Sequence, residues 1–357
     1  MSVNPLKSVI SRMFAKNFLG IDIGIASFKV VEISSKNGVR LENYGQLRSE
    51  YVSENKSPQG LVVSNDYIIA ALASILQEAK IRTKEVFFAI PDYATFFTSF
   101  DVPAMSRPEL EEAVKYEAPR HIPLPLADVT LDWEVIKGNA LTETRTPLKV
   151  MLVAVPNETI NQYEKIAKAL GLKILAMETE VFALARALIR YQEKRAILCL
   201  IDFGQKSTTI NIFSQNILRV SHSIDISSEE LTKALADALK IDFRKAEIIK
   251  KMYGLTKDET VKNILTPHVD ILVKETKEIF NQYFLEDKER IEKVIIGGGA
   301  ASLLGLKDYL NLQLKLPVEI ANPFLEISYP PGLDTVLKKI GPEFAIALGA
   351  ALRGVQK

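Results

Sequence analysis

The chain has little cysteine and no excess of charge of either sign. Its single cysteine, Cys199, lies in the apolar run AILCLIDF, so an internal disulfide is excluded and a small buried side chain is expected. Lysines and arginines number 45 and acidic residues 44, so no basic surface is available to hold nucleic acid along an extended face. These features favour a protein of a reducing, cytoplasmic compartment.

Long apolar runs are also missing. No stretch approaches the ~20 apolar residues that a membrane-spanning helix requires, and the first residues lack the apolar core of a secretory signal. Residues 1–17 are instead predicted to form an amphipathic helix, because apolar side chains recur at helical spacing from Leu6 to Phe18. Such a helix either packs on the protein's own first domain or contacts a membrane surface or membrane-protein partner through residues 6–18.

What the sequence does contain is a long alternation of strand and helix patterns. At 357 residues and 47% hydrophobic composition, it is long enough for two domains. The predicted divisions are an N-terminal helix at 1–17, the first half of domain 1 at 18–85, an inserted subdomain at 86–177, a connecting helix at 178–195, a second domain at 196–340 and a C-terminal helix returning to the first domain at 341–357. Within the second domain, helices are predicted from Ser228, Phe243, Pro267 and Ala300.

An internal repeat is the most informative feature of the sequence. The three-strand pattern that opens the first domain returns from Ala196. The residues that coincide at one constant offset of 180 are Asp22 with Asp202, Gly24 with Gly204, Ser27 with Ser207 and Lys29 with Thr209. A repeat at fixed offset predicts two equivalent halves, and the shared aspartate, glycine and hydroxyl predict two similar chemical devices.

The first copy, GIDIGIASFK, has the residue types that bind a phosphate. Gly24 lets backbone N–H groups approach an anion, Ser27 donates a hydrogen bond and Lys29 adds a positive charge. Asp22 can hold magnesium directly or through water. A single D-x-G turn between two strands is commonly structural, so the phosphate interpretation depends on the second copy.

The second copy, LIDFGQKSTTINIF, repeats the aspartate and the glycine and places hydroxyls at Ser207 and at Thr208 or Thr209. It lacks the lysine at the matching place. Two hairpins from opposite halves are predicted to hold a triphosphate between them. Asp22 and Asp202 would then share one Mg²⁺, which offsets their mutual repulsion.

Two further elements have residues suited to a nucleoside. In VIIGGGAASLLGL a strand runs into Gly297, Gly298 and Gly299, which permit close approach to a flat base and ribose; a plain tight turn is the alternative. The pattern is not G-x-G-x-x-G, so a Rossmann site is excluded. In AEIIK, Glu247 and Lys250 lie one helical turn apart and can reach ribose hydroxyls and base, although such a pair is also a common solvated ion pair.

In this order the segments GIDIGIASFK, LIDFGQKSTT, AEIIK and IIGGGAASLLGL resemble the two phosphate motifs, the ribose-contacting helix and the adenosine motif of the actin superfamily. Over nearly its whole length the chain resembles the PilM family of type IV pilus assembly proteins and the related FtsA family of cell division. The PilM-like features are IDIGIASFKVVEI, KYEAPRHIPLPLADVTLDW and an end without the C-terminal helix usual in FtsA. The resemblance implies an α/β, actin-like fold of two duplicated, ribonuclease H-like domains with an inserted FtsA-like α/β subdomain.

The resemblance also implies a Mg²⁺ and ATP site between the halves. The site residues that it implies are Asp22, Gly24, Ser27, Lys29, Asp202, Gly204, Ser207, Thr208, Glu247, Lys250, Gly297, Gly298 and Gly299, with Asp22 and Asp202 as metal ligands. PilM-like proteins bind a short cytoplasmic tail of the inner-membrane protein PilN through the first domain and the inserted unit. The chain is therefore expected to be a cytoplasmic scaffold, peripheral to the inner membrane, that links other assembly factors to this partner.

Two alternatives use the same superfamily fold. A small-molecule kinase would need an acceptor site, which the sequence does not identify. An FtsA-like division factor is disfavoured because no membrane-binding C-terminal helix like that of FtsA is found, but the N-terminal amphipathic segment leaves it open. No catalytic residue is identified, because Cys199 is predicted to be core and the three histidines lack a motif. Binding motifs do not reveal whether a water is aligned behind the terminal phosphate, so at most slow ATP turnover is expected.

Overall fold

The computed structural model describes residues 16–35, 38–48, 64–138, 147–190, 193 and 195–355. The strands are β1 (Asn17–Ile23), β2 (Ser27–Ser34), β3 (Arg40–Arg48), β4 (Glu85–Ile90), β5 (Phe96–Val102), β6 (Val129–Lys137), β7 (Leu148–Pro156), β8 (Lys173–Thr179), β9 (Ile197–Phe203), β10 (Thr208–Ser214), β11 (Ile217–Ile224), β12 (Lys293–Gly297) and β13 (Val318–Ile320). The α-helices are α1 (Asn65–Glu78), α2 (Arg107–His121), α3 (Asn157–Ala169), α4 (Glu180–Leu188), α5 (Ser228–Leu239), α6 (Phe243–Tyr253), α7 (Glu259–Asp287), α8 (Leu306–Leu314) and α9 (Asp334–Leu352). Among the helices of these ranges, none is both long and apolar enough to cross a bilayer.

Two five-stranded sheets share one topology, which is the structural counterpart of the internal repeat. The first has the order β3-β2-β1-β4-β8 and the second the order β11-β10-β9-β12-β13. In each sheet an antiparallel three-strand meander continues into two parallel strands. Asp22 lies opposite Lys29 in the first sheet, and Asp202 lies opposite Thr209 in the second. The two hairpins are therefore equivalent residue for residue.

The third sheet belongs to the inserted unit, which is smaller than predicted. Its order is β5-β7-β6 with antiparallel pairing, and α2 covers it with buried Leu110 and Val114. Strands β4 and β8, which overlap the predicted range 86–177, pair in the first sheet instead, and α3 packs there too. Their apolar pattern suits either sheet, and the parallel pairing that decides between them joins segments distant in sequence. The separate sheet therefore extends only from Phe96 to Pro156.

Helices α4 and α9 lie between the two large sheets and join the domains. Helix α9 packs against β1, β2, β4 and α4, and it also contacts β12 of the second sheet. Leu184 of α4 and Leu348 of α9 belong to one buried apolar cluster with Phe87 of the first sheet and Leu200 of the second. Other clusters lie beneath α1 and α3 and beneath α5 to α8. The shared core holds the hairpins of both halves around a common cleft.

The predicted N-terminal helix lies outside the described residues except at its last positions. Asn17 and Phe18, which the helical pattern includes, begin strand β1. Phe18 is buried, with its ring centroid 6.0 Å from that of Phe87. Its apolar side chain belongs to the first-domain core, and its helical spacing from the preceding apolar residues does not place it on a helix.

The long helix α7 begins earlier than predicted. The sequence places its start at Pro267, because proline is favoured in the first turn of a helix. In the structure the helix begins at Glu259 and continues through Pro267. Asp258 accepts a hydrogen bond from the Val261 N–H over 2.9 Å and so caps the earlier start.

Two other helix starts also differ from the prediction. Helix α8 begins at Leu306 and not at Ala300, because Gly305, at a φ of +80°, holds the intervening segment in a turn. Helix α9 begins at Asp334, so it takes in residues predicted for the second domain as well as part of 341–357.

Candidate functional site

The hairpin between β1 and β2 forms one side of the cleft. Lys29 Nζ donates to Asp22 Oδ2 over 3.0 Å, and both side chains are buried. The Gly24 N–H donates to the Ser27 carbonyl over 3.2 Å and closes the turn. Within the described residues nothing donates a hydrogen bond to Asp22 Oδ1, although this oxygen is buried. A buried carboxylate oxygen without a partner is costly, so it indicates a place for a ligand.

The hairpin between β9 and β10 repeats this geometry. The Gly204 N–H donates to the Ser207 carbonyl over 3.1 Å, and a Cβ at Gly204 would lie 2.7 Å from that oxygen. Asp202, Gly204 and Ser207 line the cleft. The predicted Thr208 does not, because its buried hydroxyl donates to a backbone carbonyl over 2.6 Å. Side chains alternate along a strand, so Thr209 lines the cleft in its place.

The glycine run after β12 brings backbone against the second hairpin. Gly298 has a φ of +85°, and a Cβ there would lie 2.4 Å from Asp202 Oδ1 and 2.5 Å from the Phe203 carbonyl oxygen. Only glycine fits at this position. Gly298 and Gly299 line the cleft. Gly297 is the last residue of β12 and is paired with Asp202, and its contact with a nucleoside stays a prediction.

The predicted pair on α6 divides between the cleft and the interior. Glu247 lines the cleft, whereas Lys250 is buried beside it, and the predicted contact of Lys250 with a nucleotide stays a prediction. Lys250 Nζ lies 2.7 Å from Glu247 Oε2, 2.7 Å from Thr232 Oγ1 and 2.8 Å from the Ser228 carbonyl oxygen. Burial lowers the pKa of Lys250, and the ion pair with Glu247 opposes this. Lys250 therefore fixes the Glu247 carboxylate, while Lys251 reaches the cleft.

Two carboxylates that the sequence analysis did not select also face the cleft. Asp92 follows β4 and Glu180 follows β8. Both strands run parallel to β1, which carries Asp22, so the carboxyl ends of three strands meet at one edge. Ligands bind at such edges in α/β sheets. Once the strand pairing is known, the tendency of ligands to bind at the carboxyl ends of strands identifies both Asp92 and Glu180. Other lining residues not selected include Gln46, Arg48, Tyr93, Lys206 and Glu343.

The cleft has an unusual concentration of acidic groups. Burial raises the pKa of Asp202 to about 6, with Asp22 adding to the rise and Lys29 opposing it. Burial also raises the pKa of Asp92 to about 7. Burial, with the nearby Asp22, Asp92 and Asp202, raises the pKa of Glu180 well above its ordinary value. For Lys29 burial opposes the charge, but the ion pair with Asp22 outweighs it and raises the pKa. Among the described residues that line it, the cleft therefore has more carboxyl groups than its one buried lysine can neutralise, which favours the binding of a cation.

These shifts predict a pH dependence of stability in metal-free protein. An aspartate of raised pKa holds its proton in the folded state above the pH at which the unfolded chain has lost it. Its contribution to stability is therefore full below the unfolded pKa of about 4 and is lost as the pH rises through about 7 for Asp92. Between about pH 5.5 and about pH 7.5, the free energy of unfolding of wild type should fall by on the order of 1 to 2 kcal/mol more than that of Asp92→Asn.

Urea unfolding of both proteins in EDTA at the two pH values measures this difference directly. Carboxylates outside the cleft change stability equally in the two proteins, so the difference between them reports Asp92 and the cleft carboxylates that its charge affects. An equal pH dependence in wild type and Asp92→Asn would contradict the raised pKa.

The comparisons with known proteins cover almost the whole chain. The family model described as type IV pilus assembly protein PilM matches residues 20–355. The cell division protein FtsA of Staphylococcus epidermidis is 23% identical over 352 residues, covering 86% of this chain and 74% of FtsA. FtsA of Enterococcus faecalis is 23% identical over 338 residues, covering 82% of this chain and 75% of FtsA.

Solved structures extend these similarities to the fold. A PilM-PilN type IV pilus biogenesis complex has a TM-score of 0.82 at 26% identity, covering 95% of this chain and 98% of that one. The ethanolamine utilization protein EutJ of Carboxydothermus hydrogenoformans has a TM-score of 0.58 at 18% identity, and the match covers 94% of this chain and 89% of EutJ. MreB5 of Spiroplasma citri bound to AMPPNP has a TM-score of 0.52 at 16% identity, and the match covers 91% of this chain and 97% of MreB5. These matches confirm the predicted α/β, actin-like fold.

Proposed function

The chain belongs to the PilM family of type IV pilus assembly proteins, and we propose that it is an ATP-binding scaffold that holds the cytoplasmic tail of a PilN-like inner-membrane protein. The observation that carries this proposal is the similarity, over nearly the whole chain, to a PilM-PilN complex. The family match favours pilus assembly over the division-factor and kinase alternatives.

The donor groups of the cleft fit magnesium and a triphosphate. Asp22 Oδ1 is buried and, among the described residues, lacks a hydrogen-bond partner, and carboxylate oxygens are ligands that Mg²⁺ prefers. Magnesium is often bound by one or two carboxylates together with phosphate oxygens and water, which suits Asp22 and Asp202. The ion would neutralise phosphate charge between the two hairpins. Supporting this proposal, MreB5, which shares the fold, has been solved with AMPPNP.

The remaining lining residues have defined tasks in this proposal. The Gly24 and Gly204 N–H groups close their turns, so the backbone N–H groups of the following residues, 25–26 and 205–206, would face the phosphates. Lys29 supplies a positive charge beside Asp22. Gly298 allows the backbone to approach the nucleoside closely. Glu247, held by buried Lys250, accepts hydrogen bonds from sugar hydroxyls.

A nucleotide in this cleft would contact both hairpins, because residues of the two domains line it together. Those contacts would fix the angle between the domains. A partner that binds one domain angle better than another would sense the nucleotide through this angle.

The proposed partner places the protein at the inner membrane. A scaffold that binds a cytoplasmic tail acts in the cytoplasm and is peripheral to the membrane through that partner. The inserted unit, with the first domain, is the surface that we assign to the tail.

A peptide with the cytoplasmic tail sequence of the PilN-like protein of the same host tests this function. We expect calorimetry to show binding that is at least about fivefold tighter with Mg²⁺ and ATP than in EDTA, which is the low end of typical coupling between two sites. A scrambled peptide is the control. Absence of peptide binding in both conditions would reject the scaffold proposal.

A further inference from the structure

Two of the carboxylates that line the cleft hold each other's chain segments in place. Glu180 Oε2 accepts a hydrogen bond from the Asp92 N–H over 3.2 Å. Asp92 Oδ1 accepts one from the Val181 N–H, also over 3.2 Å. Asp92 thus caps the first turn of α4, and Glu180 caps the short turn that begins at Asp92. Asp92 and Glu180 together are termed the carboxylate clamp.

The carboxylate clamp joins the cleft to the beginning of the inserted unit. Asp92 lies in the connecting turn, Pro91–Thr95, which is closed by hydrogen bonds from the Ala94 N–H to the Pro91 carbonyl (3.0 Å) and from the Thr95 N–H to the Asp92 carbonyl (3.0 Å). The next residue, Phe96, is the first of β5. A displacement of Asp92 is therefore transmitted to β5 over only a few residues.

The other side of the clamp belongs to the interdomain helices. Glu180 is the first residue of α4, which packs along α9 between the two large sheets. Helix α9 packs on the first sheet and also contacts β12 of the second, so a change in the angle between the domains acts on these helices. Three parts of the molecule therefore meet at one pair of hydrogen bonds: the cleft, the interdomain helices and the inserted unit.

The charges around the clamp make its hydrogen bonds sensitive to the contents of the cleft. Asp22 and Asp202 line the same cleft, and the Lys29 ammonium is already paired with Asp22. Without a cation, burial and the charge of Asp202 raise the pKa of both Asp92 and Glu180, so the clamp carboxyls are favoured in the protonated form, which is the weaker acceptor. A positive charge between the two hairpins favours the ionised carboxylates, which accept stronger hydrogen bonds, and so tightens the clamp.

We propose that the carboxylate clamp couples the cleft to the inserted unit: a metal ion and nucleotide in the cleft tighten it, and the tightened clamp fixes the connecting turn and β5. Asp92 and Glu180 are thus positioning residues for the partner-binding part of the protein. This inference rests on the proposed nucleotide binding and specifies how that binding is communicated.

The effect extends to a groove at the far side of β5. Phe97, Ser99 and Asp101 of β5 line a groove of ≈ 1380 Å³ between the inserted sheet and the second domain. Two ion pairs bridge it, Lys137 Nζ to Asp287 Oδ1 (2.9 Å) and Lys149 Nζ to Glu286 Oε2 (3.2 Å). A shift of β5 therefore changes the spacing of a surface that both domains share.

Hydrogen–deuterium exchange of the full chain tests the coupling. Exchange is followed in peptides covering 91–102 and 180–188, with and without Mg²⁺ and AMPPNP at concentrations that saturate each variant. We expect wild type to exchange at least about fivefold more slowly in both segments when AMPPNP and Mg²⁺ are bound. Asp92→Ala and Glu180→Ala should lose this response in 91–102, and Asp132→Ala, a change at an exposed aspartate of β6 outside both measured segments, should keep it.

The outcomes separate the coupling from the nucleotide binding on which it rests. If wild type binds AMPPNP by calorimetry but exchange in 91–102 does not change, the coupling is wrong and the nucleotide site stands. If wild type binds no AMPPNP, the proposed nucleotide site fails and the coupling fails with it. A response in Asp92→Ala and Glu180→Ala equal to that of wild type also overturns the coupling. Glu180→Gln, which keeps an acceptor but removes the charge, should lose the response too, because the cation acts through charge.

Discussion

Asp22→Asn is expected to lower the affinity for Mg²⁺ and ATP by about 100-fold or more, since losing even an outer-shell partner of a metal ligand typically costs 10–100-fold. The amide keeps an acceptor for Lys29, which lies 3.0 Å from Asp22 Oδ2, so the folded structure should persist. Asp22→Ala is a poorer probe, because it removes the hydrogen-bond acceptor of the buried Lys29 ammonium as well as the negative charge. Calorimetric titration with and without Mg²⁺, alongside circular dichroism, measures binding and folding separately.

Asp101→Asn provides the matched control for this experiment. It makes the same chemical change at an exposed aspartate of β5 that lies outside the nucleotide cleft. Its affinity for Mg²⁺ and ATP should equal that of wild type. An affinity of Asp22→Asn within about threefold of wild type, with the magnesium dependence intact, would reject Asp22 as a metal ligand.

Gly349→Ala is expected to destabilise the protein by about 3 kcal/mol or more, because steric overpacking against backbone cannot be relieved by a side-chain rotation. A Cβ at Gly349 would lie 1.8 Å from the Ala183 carbonyl oxygen, where α9 crosses α4. The sign of the effect is informative, since glycine to alanine in a helix interior otherwise stabilises by roughly 1 kcal/mol. Urea unfolding followed by circular dichroism measures the change.

Gly332→Ala is the control for the helix crossing. Within the described residues no atom lies within 4 Å of a Cβ built at Gly332, and its φ is not in the left-handed region. The free energy of unfolding of this variant should lie within about 0.5 kcal/mol of that of wild type, as is usual for surface substitutions. A Gly349→Ala protein as stable as Gly332→Ala would show that α4 and α9 can separate without loss.

The repeat is the part of the site that sequence could specify. A constant offset aligns Asp22 with Asp202 and Lys29 with Thr209, and the two hairpins place these residues opposite each other in matching register. Turn residues and strand alternation are local properties, so the sequence contains them. The sequence left Thr208 and Thr209 as alternatives, because a shift of one residue exchanges the two faces of a strand, and Thr209 lines the cleft.

The positions that sequence could not specify depend on contacts between distant segments. Helical spacing puts Glu247 and Lys250 on one face of α6 but does not show that Ser228 and Thr232 cover the lysine. Asp92 and Glu180 are 88 residues apart, and only the pairing of β4 with β8 brings them together. The extent of the separate sheet in the inserted unit depends on the same strand pairing.

The position of α9 in the chain affects how the protein folds as it is synthesised. The last strand of the first sheet ends at Thr179, whereas α9, which covers that sheet from the side of the second domain, begins at Asp334. At roughly 5–20 residues per second, a ribosome needs on the order of 10 s or more to make the intervening segment. The second domain can therefore fold before the first is complete. Because uncovered apolar sheet faces promote aggregation, the nascent chain on the ribosome is the form of this protein with the greatest need of a chaperone.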